Sequence, residues 1–152
     1  MDFNRTTDFA LVRQILTHPR MFPHMGDDFL PAPEQFVLNT DPRISYVLVS
    51  DEWRAIGLFC FIPENEICWA AHVAMLRKVH PALTHRAGKE IIEWLWRNTP
   101  CRRLIASVPA SNPAAVRFGV QAMGLIRYGV NRRSFMKGGR LVDQILMGRS
   151  RP

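Results

Sequence analysis

Cysteine is scarce in this chain of 152 residues: Cys60, Cys68 and Cys101 are the full set, and no two of them form a CxxC pair. That excludes a disulfide framework and a zinc site, and Cys60 and Cys68 lie in apolar, strand-like surroundings where cysteine acts as a small core residue. No metal is expected. No apolar run approaches the roughly 20 residues that span a bilayer, and Met1-Asp2-Phe3-Asn4 is not a basic segment leading into an apolar one. A cytoplasmic protein with no membrane association is expected. Low-complexity tracts, repeats and long linkers are missing as well, which at 47% hydrophobic residues favours one folded domain over residues 1–152. An aromatic-basic RNP pattern and a helix-turn-helix signature are also absent, so nucleic acid is not a favoured partner.

What is present reads in chain order. Thr7 and Asp8 cap a predicted helix whose Phe9, Val12, Ile15 and Leu16 share one face, ending near His18-Pro19. Pro23, Pro31, Pro33, Gly26 and the pair Asp27-Asp28 make residues 21–33 a surface loop of the kind that shapes pockets. A short second helix is expected over Glu34–Leu38, broken by Asp41-Pro42. Ile44–Val49, Ala55–Ile62 and Ile67–Met75 form a predicted meander, turning at Ser50-Asp51-Glu52-Trp53 and Pro63-Glu64-Asn65-Glu66. A third helix is expected from Gly88 to Arg97, with Ile91, Ile92, Leu95 and Trp96 as its buried stripe. Leu104–Val108 is an inner strand, and Asn112–Met123 a fourth helix stopped by Gly124. Ile126–Met136 and Leu141–Met147 pair across Lys137-Gly138-Gly139-Arg140, where paired glycines supply positive φ. The sum is an α+β fold: a mostly antiparallel mixed sheet of about six to seven strands, about four helices, and a central strand-helix-strand crossover that makes one strand pair parallel.

The predicted helix start at Gly88 carries the first chemical argument. The first amides of a helix lack internal partners and sit at the positive end of its dipole, which suits a pyrophosphate. Gly88 lets a phosphate approach the backbone, while Thr84, His85, Arg86 and Lys89 add donors or positive charge. A solvated helix start is the competing interpretation of Arg86-Ala87-Gly88-Lys89. The second argument is Asn112, at a strand-to-helix junction, where its side chain can cap the helix and hold a ligand's amide.

Together these stretches, from Ile67 to Leu125, resemble the two central motifs of the GNAT N-acetyltransferases. The family's first pattern is Arg or Gln, two residues, Gly, one residue, Gly or Ala; Gly88 matches its last small residue, with Arg86 at the earlier Gly and Leu83 at the opening position. Asn112, Ala115, Phe118 and Gly124-Leu125 follow the second pattern, with one extra residue before the glycine and Leu for Phe. The likeness extends from Tyr46 to Met147, and the Gly138-Gly139 hairpin with Asp143 behind it resembles compact members carried by bacteriophages.

The resemblance implies acetyl-coenzyme A as cofactor and direct transfer of acetyl to a primary amine on a small molecule, a protein lysine or a protein N-terminus. In the family the strand before the phosphate loop splays from its neighbour, which here gives Val73, Ala74 and Met75 to the cofactor, along with Thr84, His85, Arg86, Ala87, Gly88, Lys89, Asn112, Ala115 and Phe118. His72, between small Ala70, Ala71 and Ala74, has an ordinary pKa of about 6.5 suited to removing a proton. It is the first candidate base, against the alternative of a half-buried histidine with a backbone partner. Glu66, acting through water, is the second. Many family members have a Tyr directly after the helix aromatic; here Gly119 follows Phe118, so Tyr128 and Ser107 are the candidate proton donors, against a thiolate that leaves without a dedicated donor. The loop from Met21 to Pro33 lies where the family closes over the acceptor, making Asp27 and Asp28 candidates to hold a cationic amine, against ordinary loop solvation.

A formal charge of +7 favours a polyanionic partner without choosing among coenzyme A, nucleic acid and an acidic protein. A non-catalytic relative that kept the fold, such as a virion-associated phage protein acting by interaction, stays open as the alternative, with a basic nucleic-acid-associated protein as the third class; a homodimer is also open.

Overall fold

The computed structural model describes residues 1–76 and 79–152. Its sheet contains β1 (Asp2–Arg5), β2 (Ser45–Asp51), β3 (Arg54–Pro63), β4 (Cys68–Met75), β5 (Arg103–Pro109), β6 (Ile126–Lys137) and β7 (Arg140–Ser150), in spatial order β1-β2-β3-β4-β5-β7-β6. Every neighbouring pair is antiparallel except β4 and β5, which α2 (Pro81–Asn98) joins as a crossover. The expected α+β architecture is present.

Strand alternation divides the core between the two faces. Val47, Val49, Phe59 and Phe61 pack with Ile91, Ile92 and Leu95 of α2. Tyr46, Leu58 and Ala74 turn the other way, onto Val12, Ile15 and Leu16 of α1 (Phe9–Leu16). The predicted Asp8 cap holds α1 in place, its carboxylate accepting from the Leu11 amide at 3.0 Å. At the β6–β7 turn Gly138 and Gly139 have φ of 59° and 70°, the left-handed values their pairing implies.

Three features differ from the sequence expectation. The α-helices number three among the described residues, because the segment after Ala32 forms only the 3₁₀ turn Pro33–Gln35 before extended chain resumes. β1 was not anticipated: four mostly polar residues carry little pattern, yet they pair along β2, with Phe3 opposite Val49. And α2 begins at Pro81, not at Gly88. His80 caps it, its Nδ1 accepting from the Ala82 amide at 3.2 Å, and proline fills the first position, where an absent N–H is harmless.

The third helix, α3 (Pro113–Arg117), continues into a π-helical turn over Phe118–Ala122. There the Met123 amide reaches back to the Phe118 carbonyl at 3.2 Å. One residue inserted into an α-helix produces such a turn. It therefore absorbs the extra residue seen between Asn112 and Gly124. No helix among the described residues is long and apolar enough to cross a membrane.

Candidate active site

The site begins where a strand pair comes apart. β4 and β5 are paired at Cys68–Arg103, Trp69–Leu104 and Ala70–Ile105, and no further. Beyond Ala70, β4 stays bonded to β3 as far as Met75, while β5 follows β7 as far as Pro109. The gap between them is a cleft of about 220 Å3, with Ala71, His72 and Val73 on one wall and Ala106, Ser107 and Val108 on the other. His24, Met25 and Gly26 of the loop also line it. A second hollow of about 340 Å3 shares Val73, Asn112, Ala115 and Phe118 with the cleft and continues past Met75 to Thr84 and Arg20. Together they form a groove that starts at His72 and runs to the beginning of α2.

His72 is opposite Cys60 on β3, and Cys60 is opposite Tyr46 on β2, so the three form one row across a face of the sheet. The imidazole is open to the cleft, and no described residue hydrogen-bonds its ring, which removes the backbone partner of the structural alternative. Protein packed around the ring disfavours the imidazolium and lowers its pKa below 6.5; the Glu64 carboxylate opposes this only partly. His72 is thus neutral at pH 7 and able to accept a proton. Burial pushes the Cys60 thiol up to about 12 and the Tyr46 hydroxyl up to about 12, so neither neighbour supplies an anion. Sequence alternation held the signal for Glu64: Cys60, Ile62 and Glu64 share parity, and Glu64 rather than Glu66 is the carboxylate whose charge reaches His72.

The phosphate-binding expectation requires correction. Gly88 lies in the third turn of α2, buried against the π-helical turn that follows α3: a Cβ there would lie 2.6 Å from the Ala122 Cβ and 2.9 Å from Phe118 Cζ. Close helix packing, and not phosphate access, explains this glycine. At the actual start of α2, Pro81 has no N–H, the Ala82 amide is bound to the His80 side chain, and the Leu83 and Thr84 amides are bound to the His80 carbonyl at 2.9 and 3.2 Å. The first turn has no amide to spare. Of the side chains expected there, Thr84 lines the groove. His85 Nε2 lies 3.0 Å from the Gln121 carbonyl, Arg86 pairs with Glu90 at 2.6 Å, Ala87 is buried, and Lys89 is exposed.

Asn112 lies at the strand-to-helix junction ahead of α3. Its Oδ1 accepts from the Ala115 amide at 3.2 Å, which caps α3, and the residue lines both parts of the groove with Ala115 and Phe118. Ala74 turns away from the groove onto α1, and Val73 and Met75 line it.

The loop over the cleft is fastened by contacts that span more than a hundred residues. The Asp28 carboxylate accepts from the Gly138 and Gly139 amides at 2.9 and 2.7 Å. Lys137 Nζ returns the contact, donating to the Pro23 and Gly26 carbonyls at 2.6 and 2.9 Å. These amide hydrogen bonds hold the Asp28 carboxyl below the usual carboxylate range. Asp27 closes a local turn, accepting from the Phe29 amide at 2.9 Å. Both acids are committed to shaping the loop, and neither lines the cleft.

The remaining candidates separate. Ser107 is on the wall opposite His72. Glu66 is exposed in the β3–β4 turn, six residues before His72, roughly 20 Å along an extended strand. Tyr128 is on the outermost strand, β6, with the Arg103 guanidinium 5.4 Å from its ring centre. The structure does not bring Glu66 or Tyr128 to His72.

No protein-family sequence profile matches the chain, and no curated protein matches it in sequence. Its likeness is to solved structures. A spermidine N-acetyltransferase from Vibrio cholerae, in complex with CoA and spermine, superposes with TM-score 0.76 at 13% identity, covering 98% of this chain and 94% of that one. An acetyltransferase of the GNAT family from Streptococcus pneumoniae gives TM-score 0.74 at 17% identity, covering 99% of each chain. A ribosomal-protein-alanine N-acetyltransferase from Brucella melitensis gives 0.70 at 14%, covering 99% of this chain and all of the other. The chain has the GNAT fold.

Proposed function

We propose that this chain is an acetyl-coenzyme A dependent N-acetyltransferase acting on a primary amine by direct attack. The observation that carries the proposal is the cleft that opens between β4 and β5 beyond Ala70, with His72 free in its wall and Asn112 at its far side. The gap-facing edge of β4 from Ala71 to Met75 has no strand partner, which suits an extended pantetheine-like arm with amides of its own. Acetyl-coenzyme A, when bound, supplies the activated acetyl group. Val73, Met75, Thr84, Asn112, Ala115 and Phe118 would hold it, with the polyphosphate gripped by side chains such as Arg20, since the first turn of α2 offers no free amide.

The chain's own contribution to the reaction is positional and acid-base. His72, neutral at pH 7, takes the proton released as the amine nitrogen forms its new bond. Unpaired β4 amides are donors toward a developing oxyanion, and the Ser107 hydroxyl across the cleft would hydrogen-bond the sulfur that departs as the thioester C–S bond breaks, its proton coming from the imidazolium at His72. The amine bound by the Vibrio cholerae neighbour supports an amine acceptor as a class. A cytoplasmic setting, a bacteriophage origin and a homodimer belong to this proposal on sequence grounds alone.

The competing interpretation is a non-catalytic relative, and the committed amides at the start of α2 favour it. Thermal melts separate the two, together with an acetyl-transfer assay over a panel of amines. Coenzyme A and its desulfo analogue should both stabilise the protein, by about 2.7 kcal/mol at a hundredfold excess over Kd. A shift without turnover would leave the non-catalytic relative; no shift at millimolar ligand would remove the cofactor assignment.

A further inference from the structure

Behind His72, on the α1 side of the sheet, is a recess of about 240 Å3 that meets the cleft at Met25, His72 and Val73. Its walls are Phe36, Leu38, Tyr46, Leu58, Cys60 and Ile62, and among the described residues no Asp, Glu, Lys or Arg lines it. It is a built pocket. Arg13 ties its outer wall down, donating to the Pro33 and Phe36 carbonyls at 2.7 and 3.3 Å. Phe22 packs edge-on against Phe36 with ring centres 5.7 Å apart. The Tyr46 hydroxyl already donates to the Asn39 carbonyl at 2.7 Å.

Charge decides what such a recess accepts. A polyamine would bring several ammonium groups to a recess that no described carboxylate lines, where the Glu64 carboxylate, whose charge reaches His72, could offset only one of them. Asp28 and Asp27 are bound to loop and hairpin amides, and the formal charge of +7 repels a polycation at long range. An apolar body attached to one amine meets none of these costs.

Building on the proposed acetyl transfer, we infer that the acceptor is a small monoamine with an apolar or aromatic body, arylalkylamine in class. Its body fills the recess between Phe36, Tyr46 and Cys60, and its nitrogen lies at His72. The recess and the cleft meet at that residue, so a short alkyl spacer spans the two.

The test compares phenethylamine, ethylamine and spermine as acceptors for the wild-type protein, with thermal melts on each amine in the presence of desulfo-coenzyme A. Burial of one ring should give phenethylamine a kcat/KM about thirtyfold above ethylamine, and spermine should be the poorest of the three. Cys60→Phe, which fills the recess, should reduce the phenethylamine preference over ethylamine to less than about threefold. If that variant does not fold, the wild-type comparison decides alone. Spermine equal to or better than phenethylamine overturns the inference and leaves acetyl transfer standing. A melting shift with phenethylamine but not spermine, without turnover of any amine, supports the recess and removes acetyl transfer. Absence of both shift and turnover overturns the two together.

Discussion

The carboxylate of Asp28 holds the amide of Gly139 at 2.7 Å, across 111 residues of chain. Through this bond and its twin to Gly138, the tip of the β6–β7 hairpin sets the position of the loop that roofs the cleft. Asp28→Asn should therefore leave the core intact while loosening residues 21–33, seen as faster proteolysis there and a lower kcat. The Asp28 pKa is lowered in the folded state, so this fastening is complete above the ordinary carboxylate pKa of about 3.9 and is lost as pH falls through the lowered value. Unchanged proteolysis in the variant would show that Lys137 alone suffices.

For His72, the expectation is a loss of at least about a hundredfold in kcat on substitution by Ala, with the coenzyme A melting shift retained. The wild-type kcat/KM should rise through an apparent pKa below 6.5, because desolvation favours the neutral ring, and that limb should vanish in the variant. Equal loss of activity and melting temperature would instead identify a structural histidine.

Gly88 offers a test of packing against ligand contact. Gly88→Ala places a methyl 2.6 Å from the Ala122 Cβ, and overpacking of this kind typically costs about 1–3 kcal/mol, offset by roughly 1 kcal/mol of helix propensity. The net cost of up to about 2 kcal/mol corresponds to a fall in Tm of up to roughly 8 °C for a chain of this length. An unchanged Tm with coenzyme A binding abolished would restore Gly88 to the phosphate site.

The phosphate grip makes its own prediction. With the first-turn amides of α2 engaged, the proposed cofactor would draw part of the affinity for its charged half from side chains of the groove. Arg20→Ala should weaken coenzyme A binding about fivefold at low salt, the effect shrinking as salt rises, while pantetheine binding stays the same. Titration calorimetry with both ligands measures the difference, and equal effects on the two would place Arg20 outside the grip.

The parts of this protein that were legible in the sequence depend on near neighbours. Asn112, Ala115 and Phe118 announce a capped helix by spacing alone, and alternation on β4 sets His72 apart from Val73. The start of α2 misled because Arg86-Ala87-Gly88 looks like a break, whereas His80-Pro81 gives an earlier cap that needs no glycine. The Asp28 to Gly139 bond had no local signature, since an acid in a proline-rich loop looks alike whether it binds a ligand, water or a distant turn. The same holds for the recess: Phe36 and Cys60 are ordinary apolar residues until the fold brings them beside His72.

A seven-stranded sheet ordinarily has two edges, but this one has two more in its interior, along β5 after Ile105 and along β4 after Ala70. Successive amides of a strand point to opposite sides, so from Ala71 to Met75 every second amide is bonded to β3 and its neighbours face the gap. In hydrogen-deuterium exchange the strand should therefore show a two-residue rhythm of slow and fast positions within one element. An occupant that docks along the gap would slow only the fast set, turning the rhythm into uniform protection. The inner edge of β4 thereby gives the protein a built-in reporter of occupancy, readable without turnover and without a label on the ligand.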